Sequence, residues 1–81
     1  MSLNENSIGP AGAAALAASP ILSDLHTLNL YHNRIGDPGA LALAASPYLN
    51  HLRHANLNTN GIGPQGKAAL RERFGGRVVA S

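Results

Sequence analysis

The sequence predicts an α/β repeat fold, a short solenoid with parallel strands on one side and helices on the other. Three observations predict it. First, a motif recurs at a fixed interval: LNENSIG at residues 3–9, LNLYHNRIG at 28–36 and ANLNTNGIG at 55–63, with Asn6, Asn33 and Asn60 each 27 residues apart. A fixed period of this size marks stacked structural units. Second, the apolar spacing changes inside each period. Leu28 and Leu30 alternate as in a strand with one buried face, whereas Gly39, Ala40, Leu43 and Ala44 share one face of a helix, as do Gly12, Ala13, Leu16 and Ala17. Third, each period supplies one strand only, so strands must pair in parallel between periods, with the helix as crossover.

The elements follow in order. Leu25-x-x-Leu28-x-Leu30 gives the strand segment. Asp37-Pro38 reads as an N-cap and first helical position, because proline there forfeits no hydrogen bond. Pro10 and Pro64 lie in the neighbouring register and open helices in the same way. Ser19-Pro20 and Ser46-Pro47 close the first two helices, since the residue before proline is driven out of helical geometry. Each helix then spans about three turns. Gly12, Gly39 and Gly66 sit just inside helix starts, which implies a close approach to a neighbouring backbone. The repeats run at about residues 3–29, 30–56 and 57–81 of a single domain.

Composition narrows the function. The chain has 81 residues, no cysteine, a formal charge of +2 and 12% charged residues. Disulfide and thiolate-metal support are thereby excluded, and so is a strongly charged tail. The first residues, MSLNENSIG, lack the basic start and apolar core of a secretory signal and no run reaches the ~20 apolar residues that span a bilayer, so the default expectation is a soluble, cytoplasmic protein.

The pattern Leu25-x-x-Leu28-x-Leu30-x-x-Asn33-x-Ile35-Gly36-x-x-Gly39-Ala40-x-x-Leu43-Ala44 resembles the leucine-rich repeat, most closely its helix-bearing, ribonuclease-inhibitor-like class. The Ala-Ala-Ser-Pro endings and the tail from Leu70 to Val78 resemble arrays of planctomycete-type bacterial proteins. The resemblance implies a right-handed horseshoe segment, with strands on its concave face and helices on its convex face. It implies a protein-binding scaffold, and by analogy with a few members a regulator of a small GTPase. Two departures stand out. Ala55 replaces the strand leucine represented by Leu28, and the first repeat begins at Leu3 without the preceding Leu-x-x-Leu.

The two ends are expected to differ. Lys67 and Arg71 replace the alanines at 13/40 and 17/44, which gives the last helix a polar outer face suited to capping a repeat array. Phe74 replaces the proline of the Ser-Pro stop, Gly75-Gly76 ends a slightly longer helix, and Val78-Val79 adds a strand stub. At the N-terminal end, Leu3, Ile8 and Leu16 leave an apolar side and a strand edge uncovered. The chain is therefore read as part of a longer array or as a protein that self-associates through that end.

Candidate chemistry sorts as follows. Asn6, Asn33 and Asn60 form a structural ladder, bonding backbone groups left unpaired where the strand turns. His51-x-x-His54 is the closest histidine pair, but no third ligand converges on it, so neither a metal nor another cofactor is expected. The four acids, Glu5, Asp24, Asp37 and Glu72, form no catalytic pair, there is no nucleophile elbow and no phosphate loop, and no enzyme activity is expected. The concave face remains as the partner-binding surface. It carries His26, Thr27, Asn29, Tyr31 and His32, then Arg53, His54, Asn56, Asn58 and Thr59, with Asn4 and Glu5 from the first repeat. Asn29 beside Asn56 and Tyr31 beside Asn58 have no buried role in this reading, and Tyr31 and Arg53 are the residue types that anchor interfaces. The expected partner is a protein of unknown identity. Lys67, Arg71, Arg73 and Arg77 offer a weak nucleic-acid alternative, and a chain without independent function is a third reading.

Overall fold

The computed structural model describes all 81 residues. In chain order it contains α1 (Gly9–Ala17), β1 (Thr27–Asn29), α2 (Gly36–Ala44), β2 (His54–Leu57), α3 (Pro64–Phe74) and β3 (Val78–Ala80), with short 3-10 turns at Pro20–Asp24 and Gly75–Arg77. The strands form one parallel sheet in the order β1-β2-β3. Thr27 lies opposite His54 and Asn29 opposite Asn56, and Asn56 in turn lies opposite Val79. Ser2 bridges to Asn29 in the same sense, so the first residues extend the sheet beyond β1. Each strand is followed by a helix or preceded by one, and α2 packs between α1 and α3.

The core is the intersection of the two periodicities. Leu28, Leu30, Ala55 and Leu57 point inward from the sheet, Ala13, Ala40, Leu43 and Leu70 from the helices, and Leu22, Leu49 and Leu52 from the connections. Leu30, Ile35 and Leu22 are wholly inaccessible, and burying a side chain of this size contributes about 2 kcal/mol. Ala55 is buried as fully as the leucine it replaces, but brings far less apolar area to the sheet. Phe74, at the end of α3, adds apolar area to the core of the last repeat, being buried where Pro20 and Pro47 are exposed.

Three expectations about the helices are corrected. α2 begins at Gly36, so Asp37 is not its N-cap and Pro38 is not its first residue. Pro38 is tolerated because the first four N–H groups of a helix have no intrahelical partner anyway. The Asp37 carboxylate instead reaches the next helix, where its Oδ1 accepts hydrogen bonds from the Gly63 N–H at 2.7 Å and the Gly66 N–H at 3.1 Å. Finally, the recurring helix glycines do not face a neighbouring backbone. A Cβ at Gly39 would collide with the Ile35 methyl, and one at Gly66 would lie 2.7 Å from the Ile62 methyl, 2.6 Å from the Asp37 carboxylate and 3.0 Å from the Ala40 Cβ. The glycine clears room for the isoleucine of its own repeat, which folds over the helix start.

Candidate functional site

The exposed face of the sheet is built by alternation. Because Leu28 and Leu30 are buried, Asn29 and Tyr31 must point away from the core, and Ala55 and Leu57 likewise turn His54, Asn56 and Asn58 outward. Thr27 is exposed and pairs with His54. Tyr31 is 39% exposed, and its ring meets that of His32 edge-on, with centroids 6.1 Å apart. His26 and Arg53 are exposed but precede their strands, where the Arg53 and His54 N–H groups both donate to the His26 carbonyl. They therefore flank the outward rows and do not belong to them.

Asn29 and Asn56 have a structural task that the sequence reading did not assign. Asn29 Oδ1 accepts the Tyr31 N–H and Asn56 Oδ1 accepts the Asn58 N–H, each at 3.0 Å. A backbone N–H is only a donor, which fixes the oxygen of each amide toward it and the Nδ2 group away. Both side chains thus hold the strand ends in shape while leaving an N–H₂ donor unpaired.

Below these rows the asparagine ladder lies in the interior. Asn60 Oδ1 accepts from the Asn33 and Ile35 N–H groups, while its Nδ2 donates to the carbonyls of Leu30, Leu57 and Asn58. Asn33 repeats the arrangement one step earlier, with the N–H groups of Asn6 and Ile8 and the carbonyls of Leu3 and Tyr31. Asn33 and Asn60 are buried; Asn6 is exposed and contributes its N–H, not its side chain. The reason is directional: each ladder side chain reaches back to the preceding copy of the motif, and none precedes Asn6 in this sequence.

On either side of the ladder the backbone turns left-handed. Glu5, His32 and Thr59 have φ near +60°, and so do Ser7, Arg34 and Gly61 two residues further on. Two shallow depressions mark this side of the molecule, the second of them at these left-handed turns. One, of about 340 Å³, is lined by Met1, Ser2, Thr27, Leu28, Asn29, His54 and Asn56; the other, of about 470 Å³, by His32, Arg34, Gly36, Thr59, Asn60 and Gly61. Arg34 was absent from the sequence-level site because it lies beyond the strand. Its alignment with Ser7 and Gly61 in the repeat was the signal that marked it as a turn residue.

At the C-terminal end the cations divide. Arg73 donates to the Ala44 carbonyl at 2.8 Å and to Asn50, and Arg77 donates to the carbonyls of Phe74, Leu52 and Arg73. Their guanidinium groups also lie over the Phe74 ring, at 4.9 and 6.0 Å from its centroid. Lys67 and Arg71 are exposed.

The family model described as "Leucine Rich repeat" matches residues 22–44. That match supports a leucine-rich repeat protein. It spans β1, the Asn33 turn and α2, the segment in which the strand leucines, the ladder and the helix face occur together. Neither a curated protein nor a solved structure matches the chain. Leucine-rich repeats are generally protein-interaction modules without catalytic activity, and no helix here is long and apolar enough to cross a membrane.

Proposed function

We propose that the chain is a right-handed leucine-rich-repeat solenoid segment of the ribonuclease-inhibitor-like class, part of a longer array, that binds a protein partner on its concave sheet face. The observation that carries this reading is the separation of roles along each strand. Leu28, Leu30, Ala55 and Leu57 are buried, whereas Thr27, Tyr31 and His54 are exposed and Asn29, Asn56 and Asn58 half-exposed, with polar groups unpaired. His26, Thr27, Asn29, Tyr31, His32, Arg53, His54, Asn56 and Asn58 form the surface, and Tyr31 and Arg53 are its anchors. A protein partner is favoured over nucleic acid because Arg73 and Arg77, half of the C-terminal cation cluster, are engaged with backbone carbonyls.

A photo-crosslinking amino acid at Tyr31, compared with one at Leu41 on the outer side of α2, tests the reading. We expect specific adducts from position 31 and none from position 41, although Leu41 is 38% exposed. The reverse pattern contradicts it.

A second reading concerns the N-terminal end. Ile21 is 69% and Met1 41% exposed, and the backbone groups of Ser2 and Asn4 face outward without partners, while Leu3, Ile8 and Leu16 are only half-buried. This edge supports self-association of the isolated chain. Sedimentation that gives a monomer at all concentrations, with Ile21→Ser unchanged in behaviour, rules this out.

A further inference from the structure

We infer that the partner segment is an acidic, extended polypeptide held through its carboxylates. The inference rests on the sheet-face reading above and deepens it. Four features converge. The carbonyl oxygens of Asn29 and Asn56 are taken up by the Tyr31 and Asn58 N–H groups, so what these side chains offer outward is donors. The depressions on either side of Tyr31 are lined by His54 and by His32 and Arg34, with no carboxylate in either lining. The chain's acids are also elsewhere: Asp37 is engaged by the Gly63 and Gly66 N–H groups, Glu72 is on α3, Asp24 ends a 3-10 turn, and Glu5 alone borders the face. Arg34 and Arg53 are exposed and their guanidinium groups bond nothing within the chain, unlike those of Arg73 and Arg77. A donor-rich surface with Arg34 and Arg53 beside it, and Glu5 as its one side-chain carboxylate, complements carboxylates.

Dimensions favour an extended ligand. Adjacent strands lie about 4.8 Å apart, so the sheet from the Ser2 bridge through β1 and β2 to β3 spans roughly 14 Å, wide enough to seat one extended chain with its side chains. Asn29 and His32, which line different depressions, are three residues apart, or roughly 10 Å along the strand. Two carboxylates about two to four residues apart in an extended chain, with the freedom of their side chains, would reach both. Nucleic acid fits less well, because a phosphate backbone requires a dense row of cations, and the only permanent ones near this face are Arg34 in the turn after β1 and Arg53 just before β2.

The test is a titration of the full, isotope-labelled chain with a short alternating Glu-Ser peptide, its Gln-Ser and Lys-Ser counterparts, and a short single-stranded oligonucleotide. The expected result is amide shifts from the Glu-Ser peptide centred on Asn29, Tyr31, His32, His54 and Asn56, at least tenfold weaker binding of Arg53→Glu, and no response to Lys-Ser. The spectrum of unliganded Arg53→Glu establishes that it is folded, and Arg34→Glu provides a second variant with the same expected loss. Shifts centred on Lys67 and Arg71, or no shifts with Glu-Ser, overturn the inference. Equal binding of Gln-Ser at the same residues overturns the acidic partner while leaving the sheet-face reading intact. Tighter binding of the oligonucleotide there replaces the polypeptide with nucleic acid. The crosslinking comparison at Tyr31 and Leu41 decides the sheet-face reading independently.

Discussion

The seam between α1 and α2 and the seam between α2 and α3 have the same backbone geometry and different chemistry. In the first, Ser46 Oγ donates to the Ala17 carbonyl at 2.6 Å, and in the second Arg73, at the same place in its repeat, donates to Ala44. A short neutral hydroxyl and a long cation thus cap equivalent helix C-termini from the following repeat, the cation with the added attraction of the helix dipole. The N-terminal ends differ in the same way. The Gly9 and Gly36 N–H groups donate forward to the carbonyls of Asn33 and Asn60. No asparagine of that kind follows Gly63 in this sequence, and its N–H turns to the Asp37 carboxylate of the preceding repeat. The difference teaches that the last repeat uses charged side chains at its seam: Arg73 where the earlier seam has a hydroxyl, and Asp37 where it has a backbone carbonyl.

The largest expected effect lies in the ladder common to both seams. Asn33→Ala leaves the Asn6 and Ile8 N–H groups and the Leu3 carbonyl without partners, and each such loss costs about 1–3 kcal/mol when buried. Chemical denaturation should show destabilisation of about 3 kcal/mol. Asn6→Ala, with an exposed side chain, should stay within about 0.5 kcal/mol of the parent. Similar losses at both positions would dissolve the distinction between a side chain that reaches back and one that does not.

The seams themselves come next. Asp37→Ala should cost about 1–2 kcal/mol, because it removes a charged acceptor from two helix N–H groups. Arg73→Ala should cost about 1 kcal/mol or more, and Arg73→Ser less, since serine reproduces the cap seen at Ser46. Equal melting of Arg73→Ser and Arg73→Ala would show that the packing on Phe74, not the cap, is what matters at that seam.

The smallest effect is a gain. Thr59 is a β-branched residue at φ +60°, a conformation that asparagine tolerates better. Thr59→Asn should stabilise the chain by about 0.5–1 kcal/mol in the same denaturation assay. A loss instead would show that the threonine side chain makes a contact worth more than the relief of strain.

How much of this was legible in the sequence depends on whether one repeat or two had to be read. Element type and order follow from features inside a single repeat: the Leu28/Leu30 alternation, the helical spacing through Leu43, and the Ser19-Pro20 and Ser46-Pro47 stops, after which α1 and α2 have ended. The buried positions of Asn33 and Asn60 follow from the same 27-residue register. The target of Asp37 was not legible, because a cap is expected on the helix that contains it, and the preference for Gly63 and Gly66 arises only when two repeats are placed side by side. Gly39 failed for a related reason: its neighbours are the Ile35 side chain of its own repeat and the Ala13 Cβ of the preceding one, and the sequence alone suggested a backbone. On the sheet face, alternation identified Asn29 and Asn56 as outward, but their bonds to the N–H two residues on depend on the turn that follows. Arg34 was overlooked because it lies past the strand, in a turn whose left-handed backbone brings it beside Thr59 and Gly61.

The central claim is that each repeat divides into residues that join it to its neighbour and residues that are free to meet a partner. Asn58 and Asn60 test it at closest range, two residues apart on opposite sides of the backbone. The Asn60 side chain makes five hydrogen bonds, and that of Asn58 makes none. Thermal unfolding of Asn60→Ala and Asn58→Ala, followed by circular dichroism, should give a Tm lowered by more than about 12 °C for the first and by no more than about 2 °C for the second. Comparable losses of Tm for both variants would contradict the account.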